Sequence, residues 1–251
     1  MKKIYCCLGL IVLNQVFAQK IIWQRDVSST SQDFLVNISP TIDGQILASG
    51  STMRSDNSKF TDKAAQNNNG YDYHIIKLNQ QGEKLWEKSY GGSRHDYLIS
   101  SIITQEGGIL LTGTSFSNAS NAKKNDNFGE SDIWIIRLDE NGEEQWQKNI
   151  GTLQREEAKG TIQTGDLGFL VAGSTNNSHL SFGQKDAFLI KLDKTGKILN
   201  QLILGGAGLD EVEYLIPTKD GGALLGIYSE SPKYETLSKS ELSVNELKKI
   251  T

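Results

Sequence analysis

Cysteine is nearly missing from this chain: of 251 residues only Cys6 and Cys7 carry a thiol. Both stand in the first 18 residues, which read as an export signal. Lys2 and Lys3 form a short basic start, residues 8–13 (LGLIVL) an apolar centre, and Val16, Phe17 and Ala18 a cleavage site before Gln19. Cleavage there removes both thiols, which excludes a disulfide framework, a cysteine nucleophile and a thiolate metal site. Long apolar runs are missing too. The apolar centre is too short to cross a bilayer as a stable helix, so no membrane span is expected. Blocks of positive charge are the third absence. Lys2 and Lys3 leave with the signal, so 24 of the 26 basic residues remain against 30 acids, a balance near −6. Such a chain is a poor binder of nucleic acid or of anionic membrane surfaces. Proline is scarce at 3 residues, whereas 25 glycines fit tight turns in a β-rich protein better than collagen or disorder.

What the chain has is repetition. Asp72 to Leu78 (DYHIIKL), Asp132 to Leu138 (DIWIIRL) and Asp186 to Leu192 (DAFLIKL) align without a gap. Each runs into a turn that ends in Gly82, Gly142 or Gly196. Fourteen residues after each aspartate stands Trp86, Trp146 or, as a departure, Asn200. Nineteen after it comes Gly91, Gly151 or Gly205, and twenty-four after it an acid: Asp96, Glu156 or Asp210. Trp23 precedes Asp33 by ten residues, as Trp86 precedes Asp96. A second turn carries Asp43-Gly44, Glu106-Gly107, Asp166-Leu167 and Asp220-Gly221, each followed by a short apolar run. Connectors of unequal length, 51–70, 114–131 and 174–185, are rich in Asn, Ser, Lys and Gly and read as exposed loops.

Each unit therefore holds four short β-runs joined by glycine turns, with a period of 60 and then 54 residues. Asp-x-x-Gly between two runs fits a type I turn closed by a left-handed glycine. Four antiparallel strands, repeated, are the signature of an all-β chain of the β-propeller type. About four repeats fill residues 19–230, and 231–251 form a degenerate or truncated end segment. No cofactor is expected.

These D-x-W-I-I-R-L and Gln-Trp-Gln-Lys strands with Asp-Gly-Gly turns resemble the tryptophan-bearing repeats of secreted Gram-negative bacterial propellers, quinoprotein-like or WD40-like in blade shape. Such proteins often carry a C-terminal secretion-sorting domain, which the sequence after residue 230 does not show. The resemblance implies an inner strand near 97–104, then 108–115 and 132–138, with 143–149 outermost. It also implies that residues 21–25 (IIWQR) form an outer strand without earlier partners, and that 211–229 supply two inner strands. Residues 246–250 fall in register with a third strand. Two endings follow, a four-bladed ring with a degenerate last strand or the front part of a larger, incomplete ring. The second is preferred, because the pattern decays abruptly.

Candidate site residues each have a structural explanation beside a functional one. Asp72, Asp132 and Asp186 could gather a metal, but one acid per unit before a strand more often caps backbone amides. Trp86 and Trp146 could stack on a sugar, but at a fixed place per unit they read as packing between sheets. His74, His95 and His179 are isolated, with no short-spaced His or Cys pair for zinc. No G-x-S-x-G is present. Gly91-Gly92 and Gly205-Gly206 precede no helix that could cradle phosphate. Residues 125–132 (NDNFGESD) are dense in oxygen, yet depart from the EF-hand spacing. Nor does any residue match a quinone-binding motif. No catalytic, cofactor-binding or metal residue is assigned. The expectation is a secreted, non-catalytic binding or scaffold module at the cell envelope, in periplasm or on the surface. Its partner would be an unknown protein or polysaccharide. A glycan-binding or glycan-degrading protein is the alternative, should two carboxylates meet in an open cleft.

Overall fold

The computed structural model describes residues 21–26, 32–53, 70–176 and 181–232, and the backbone of 237–239. The export signal, His179 and the strand expected at 246–250 lie outside the described residues. Among the described residues there are fifteen strands and no helix, so no helix is long and apolar enough to cross a membrane. Sheet 1 joins β1 (Asp33–Pro40), β2 (Ile46–Met53), β3 (Tyr71–Leu78) and β4 (Lys84–Tyr90) in chain order. Sheet 2 repeats this with β5 (Asp96–Ile103), β6 (Ile109–Ser115), β7 (Asp132–Leu138) and β8 (Glu144–Ile150). Sheet 3 holds β9 (Glu156–Gln163), β10 (Phe169–Thr175), β11 (Asp186–Leu192) and β12 (Ile198–Gly205), with the short β15 (Leu237–Lys239) added beside β12. A half-sheet pairs β13 (Asp210–Pro217) with β14 (Ala223–Ser229).

The strands end where the turn chemistry says they should. Gly44, Gly82, Gly107, Gly142, Gly196 and Gly221 all have positive φ and close the hairpins. Leu167 holds the same place at φ 62°, the one non-glycine residue there among those described. The repeat extends to its irregularities. The register slips between Lys77 and Leu78, between Arg137 and Leu138, and between Lys191 and Leu192, at one and the same place in each unit.

Sheets stack face on face, and this explains apolar runs that do not alternate. All seven residues of β6 and of β7 are buried. One core lies between sheets 1 and 2 (Leu47, Tyr73, Ile75, Leu111, Trp134, Ile136) and another between sheets 2 and 3 (Leu110, Ile133, Ile135, Phe169, Val171, Ile190). Neighbouring residues of one strand thus serve opposite junctions, each contributing about 1.5–3 kcal/mol on burial. Hydroxyls on second strands tie the junctions further. Ser51 Oγ accepts the Leu98 N–H at 2.9 Å, and Thr114 Oγ1 the Ala158 N–H at 3.0 Å. The first strand of each sheet rests on the preceding sheet: β5 on β1, β2 and β3, β9 on β5, β6 and β7, β13 on β9, β10 and β11. No comparable packing joins β13 back to β1 among the described residues.

Residues 21–25 were expected as an outer strand, but they form none. Trp23 still takes the position that the repeat assigns it. Its ring lies over the Gly82 turn of sheet 1, as Trp86 lies over Gly142 and Trp146 over Gly196. A turn glycine leaves room there, and a Cβ would press into the indole.

Candidate functional site

Two ends of the stack differ in chemistry. At the end that carries the hairpin turns, a third-strand cation reaches the first turn of its own sheet. Lys77 Nζ lies 2.8 Å from Asp43, Lys191 Nζ 2.9 Å from Asp166, and Arg137 donates to Thr104 Oγ1 at 2.9 Å. Hydrogen bonds from Lys191 and Thr164 draw the Asp166 carboxyl down to about 2. These acids belong to the turns.

At the opposite end, where odd-numbered strands begin, the repeated acids are buried: Asp72, Asp132 and Asp186, with Asp96, Glu156 and Asp210 beside them. The first set packs against Gly91, Gly151 and Gly205, where any Cβ would collide with the carboxylate. Asp132 Oδ2 accepts the Phe128 N–H at 2.9 Å, and Asp186 Oδ2 the N–H groups of Phe182 and Gly183. The second set holds the glycine pairs. Gly92 N–H donates to Asp96 Oδ2 and Gly206 N–H to Asp210 Oδ2, both at 2.8 Å. The glycine pairs do cradle an anion, and it is the chain's own carboxylate.

Burial pushes Asp96, Asp132 and Asp186 above the usual carboxylate range. Asp186 is raised further by the Asp210 carboxyl beside it. Burial also acts to raise Asp210, but hydrogen bonds from Ser229, Ser231, the Gly206 amide and Asp186 outweigh it and draw that group down. The two carboxyls are thus driven apart, Asp186 upward and Asp210 downward. Between sheets 1 and 2 a lysine stands near the acids instead. Lys123, fully buried, donates to Asn125 O at 2.8 Å and Asn127 Oδ1 at 2.9 Å. Burial lowers its amine to about 8 against the pull of Asp96 and Asp132. The connector 116–131 is thus no simple solvated loop. The oxygens of the calcium candidate within it serve internal donors: Asp126 Oδ1 accepts the Ala119 N–H at 2.8 Å, Asn127 Oδ1 the Lys123 ammonium. Among the described residues no three His, Cys, Asp or Glu side chains converge on a metal position.

At the first junction this end carries an aromatic shelf. Phe34 and Tyr71 rings are 5.0 Å apart, Tyr71 and Tyr97 5.5 Å, and Tyr71 and His95 5.9 Å. His95 and Tyr97 lie almost parallel, 5.3 Å apart at 9°. Phe116 meets Tyr97 edge-on at 6.3 Å, and the Arg94 guanidinium sits 5.9 Å from the Phe116 ring. Phe34, Arg94 and His95 are exposed, Tyr97 and Phe116 half-buried. The rings are fixed from beneath. Asp96 accepts from Ser117 Oγ at 2.7 Å, Ser117 Oγ accepts the Arg94 N–H at 2.9 Å, and the Phe116 N–H donates to His95 O at 2.8 Å. Tyr71 N–H donates to His95 Nδ1 at 3.3 Å, and Tyr71 OH donates to Gln32 Oε1 at 2.7 Å.

No family model matches the chain, and no curated protein matches it. Function is then read from the columns of the repeat that depart from it, since shared columns build the frame. Tyr97 is Glu157 and Glu211 in the next units, His95 is Arg155 and Leu209, Tyr71 is Ser131 and Lys185. At those junctions ion pairs close the space: Lys185 lies 2.7 Å from Glu157 and 2.6 Å from Glu211.

The structure brings His95 into the shelf and leaves His74 apart, 2.7 Å from Glu87 on sheet 1. Trp86 and Trp146 cover turn glycines and border the cores, which is packing. The shelf went unread in the sequence because its members are far apart in the chain. A column-by-column comparison of the units, looking for aromatics where other copies hold charges, is the signal that finds it.

Proposed function

We propose that this chain is a secreted, non-catalytic binding module of the propeller type, acting outside the cytoplasm at the cell envelope, with the stacked sheets as its blades. The observation that supports this most is the shelf: one junction holds rings where its neighbours hold ion pairs, with Phe34 and His95 exposed and Tyr97 and Phe116 half-buried. Rings held in place by a second layer of hydrogen bonds lose little freedom when a ligand arrives, which favours recognition. Hydrolysis has weaker support. The carboxyls that come together, Asp186 with Asp210 and Asp132 with Glu156, are all closed off from solvent. A glycosidase needs its two carboxyls in an open cleft.

A polysaccharide array tests the reading, with reducing ends measured on the same spots. Retention without release of reducing ends is expected; release would make the chain a hydrolase. For the address, replacing Leu10 and Leu13 by Arg interrupts the apolar centre and should hold uncleaved precursor in the cytoplasm. Normal appearance of protein beginning at Gln19 outside the cytoplasm would defeat the export reading.

A further inference from the structure

We propose that the shelf binds uronate-bearing glycans, a ligand class that rests on reading the chain as a binding module. Three groups at its surface have no hydrogen-bonding partner among the described residues, and all three can donate. Arg94 forms no ion pair there. His95 accepts the Tyr71 N–H at Nδ1, so the neutral ring carries its proton on Nε2, which bonds to nothing described. The Tyr97 hydroxyl, raised by burial and by neighbouring Tyr71, keeps its proton to high pH. The matching ligand has a flat apolar face for the rings and acceptors or negative charge at its margin. A pyranose supplies the face through its axial C–H groups, and a C6 carboxylate supplies the charge for the Arg94 guanidinium.

A neutral sugar would use the rings and leave Arg94 idle. Nucleic acid would meet the chain's net negative charge and, at the next junctions, Glu157 and Glu211. Among the described residues the site also occurs once. Where the shelf positions recur, the cations are consumed internally, with Lys185 between two glutamates and Arg155 2.5 Å from Glu130. A partly exposed guanidinium lying against an aromatic face is held ready for a planar carboxylate.

Calorimetric titration of the full chain with oligogalacturonate, and with an uncharged glucan oligosaccharide of equal length, decides the matter. The uronate is expected to bind more tightly than the glucan and to weaken as salt rises. Arg94→Gln, an exposed change, should weaken uronate binding about tenfold with the melting midpoint unchanged. Tyr97→Ala should weaken both ligands by about tenfold or more, and Tyr97→Phe, which keeps the ring, should stay within about threefold of the parent. Equal binding of the two oligosaccharides, unaltered by Arg94→Gln, overturns the uronate assignment. Array binding that neither Arg94→Gln nor Tyr97→Ala disturbs overturns the shelf as the site and leaves the binding-module reading standing. A chain that retains no polysaccharide overturns this assignment too, whatever its other partners.

Discussion

The junction between sheets 1 and 2 and the junction between sheet 3 and the half-sheet use the same columns of the repeat, with opposite results. The first buries ten apolar residues, with Tyr73 and Trp134 rings 4.9 Å apart and the Tyr73 hydroxyl donating to Trp134 O at 3.1 Å. The last buries three, Ala172, Ala187 and Val212, and leaves a cleft of about 510 Å³ lined by Leu189, Leu202, Leu215 and Leu225. The difference is the third strand. β3, β7 and β11 supply much of every core, and β13–β14 has no such partner among the described residues. Where that strand is present, a tryptophan of the preceding sheet finds a turn glycine to cover. At the last junction no such turn is described, and Asn200 stands in the tryptophan's column. The acids differ likewise, a buried lysine serving one junction and a carboxyl pair driven in opposite directions the other. A repeat's stability thus resides in what its neighbour completes, and its sequence alone does not set it.

The sharpest way to break this comparison is at Leu111, fully buried in the second strand of sheet 2. Leu111→Ala is expected to cost roughly 3–4 kcal/mol in urea denaturation, transfer and cavity terms together. Trp146→Ala should follow. Its ring is half-buried, meets Phe169 at 6.2 Å and donates from Nε1 to Lys194 O at 3.3 Å. Removing it should cost about 2–3 kcal/mol. A variant that melts like the parent would mean that the indole covers the Gly196 turn without holding sheet 3 in place.

Much of this frame is legible from residue offsets. The Asp-x-x-Gly turns, the order of four antiparallel strands in each sheet and the pairing of β13 with β14 can all be placed from spacing and resemblance, because each is a local pattern repeated several times. The buried acids can be read as amide caps, and Asp132 and Asp186 are such caps. What spacing does not contain is the meeting of side chains across a junction. Asp186 and Asp210 act on each other because sheet 3 turns into the half-sheet there, and Lys123 folds back under Trp134, its amine 5.8 Å from the ring. The aromatic shelf is hidden for the same reason. Phe34, Tyr71 and Tyr97 belong to three strands of two sheets, and no short window holds them together.

The Asp186–Asp210 pair gives the next effect. Asp186 has its folded-state pKa raised, so the folded chain holds its proton at pH values where the unfolded chain, near about 3.9, has lost it. Stability from this group is full below that value and falls as pH rises through the folded pKa. Asp210, drawn down, acts in reverse and loses its contribution as pH falls below about 3.9. In Asp186→Asn the amide oxygen can keep the N–H groups of Phe182 and Gly183 while its NH₂ donates to Asp210 at every pH. The variant should match the parent in acid and exceed it at pH 7 by about 1 kcal/mol, the worth of one buried hydrogen bond. Urea midpoints measured from pH 3 to 8 check this. A decline above about pH 4 that is as steep in the variant as in the parent would show that the proton is not held by this pair.

The smallest effect belongs to Leu225, which holds in β14 the place that Leu111 holds in β6. The side chain is the same and the column is the same, yet Leu225 is half-buried and faces the cleft of about 510 Å³. Truncating it removes methyl groups that already border open space, so little new cavity forms and only part of the transfer term is lost. Leu225→Ala should therefore cost about 1 kcal/mol or less, against three or four times that for Leu111→Ala. The two variants differ only in whether a third strand lies across the junction. Equal losses would mean that something covers Leu202, Leu215 and Leu225 in solution as β6 and β7 cover sheet 1. The Leu225→Ala variant itself then reports such a cover: its loss should grow with protein concentration if a second copy supplies the missing surface, and stay constant if the same chain does.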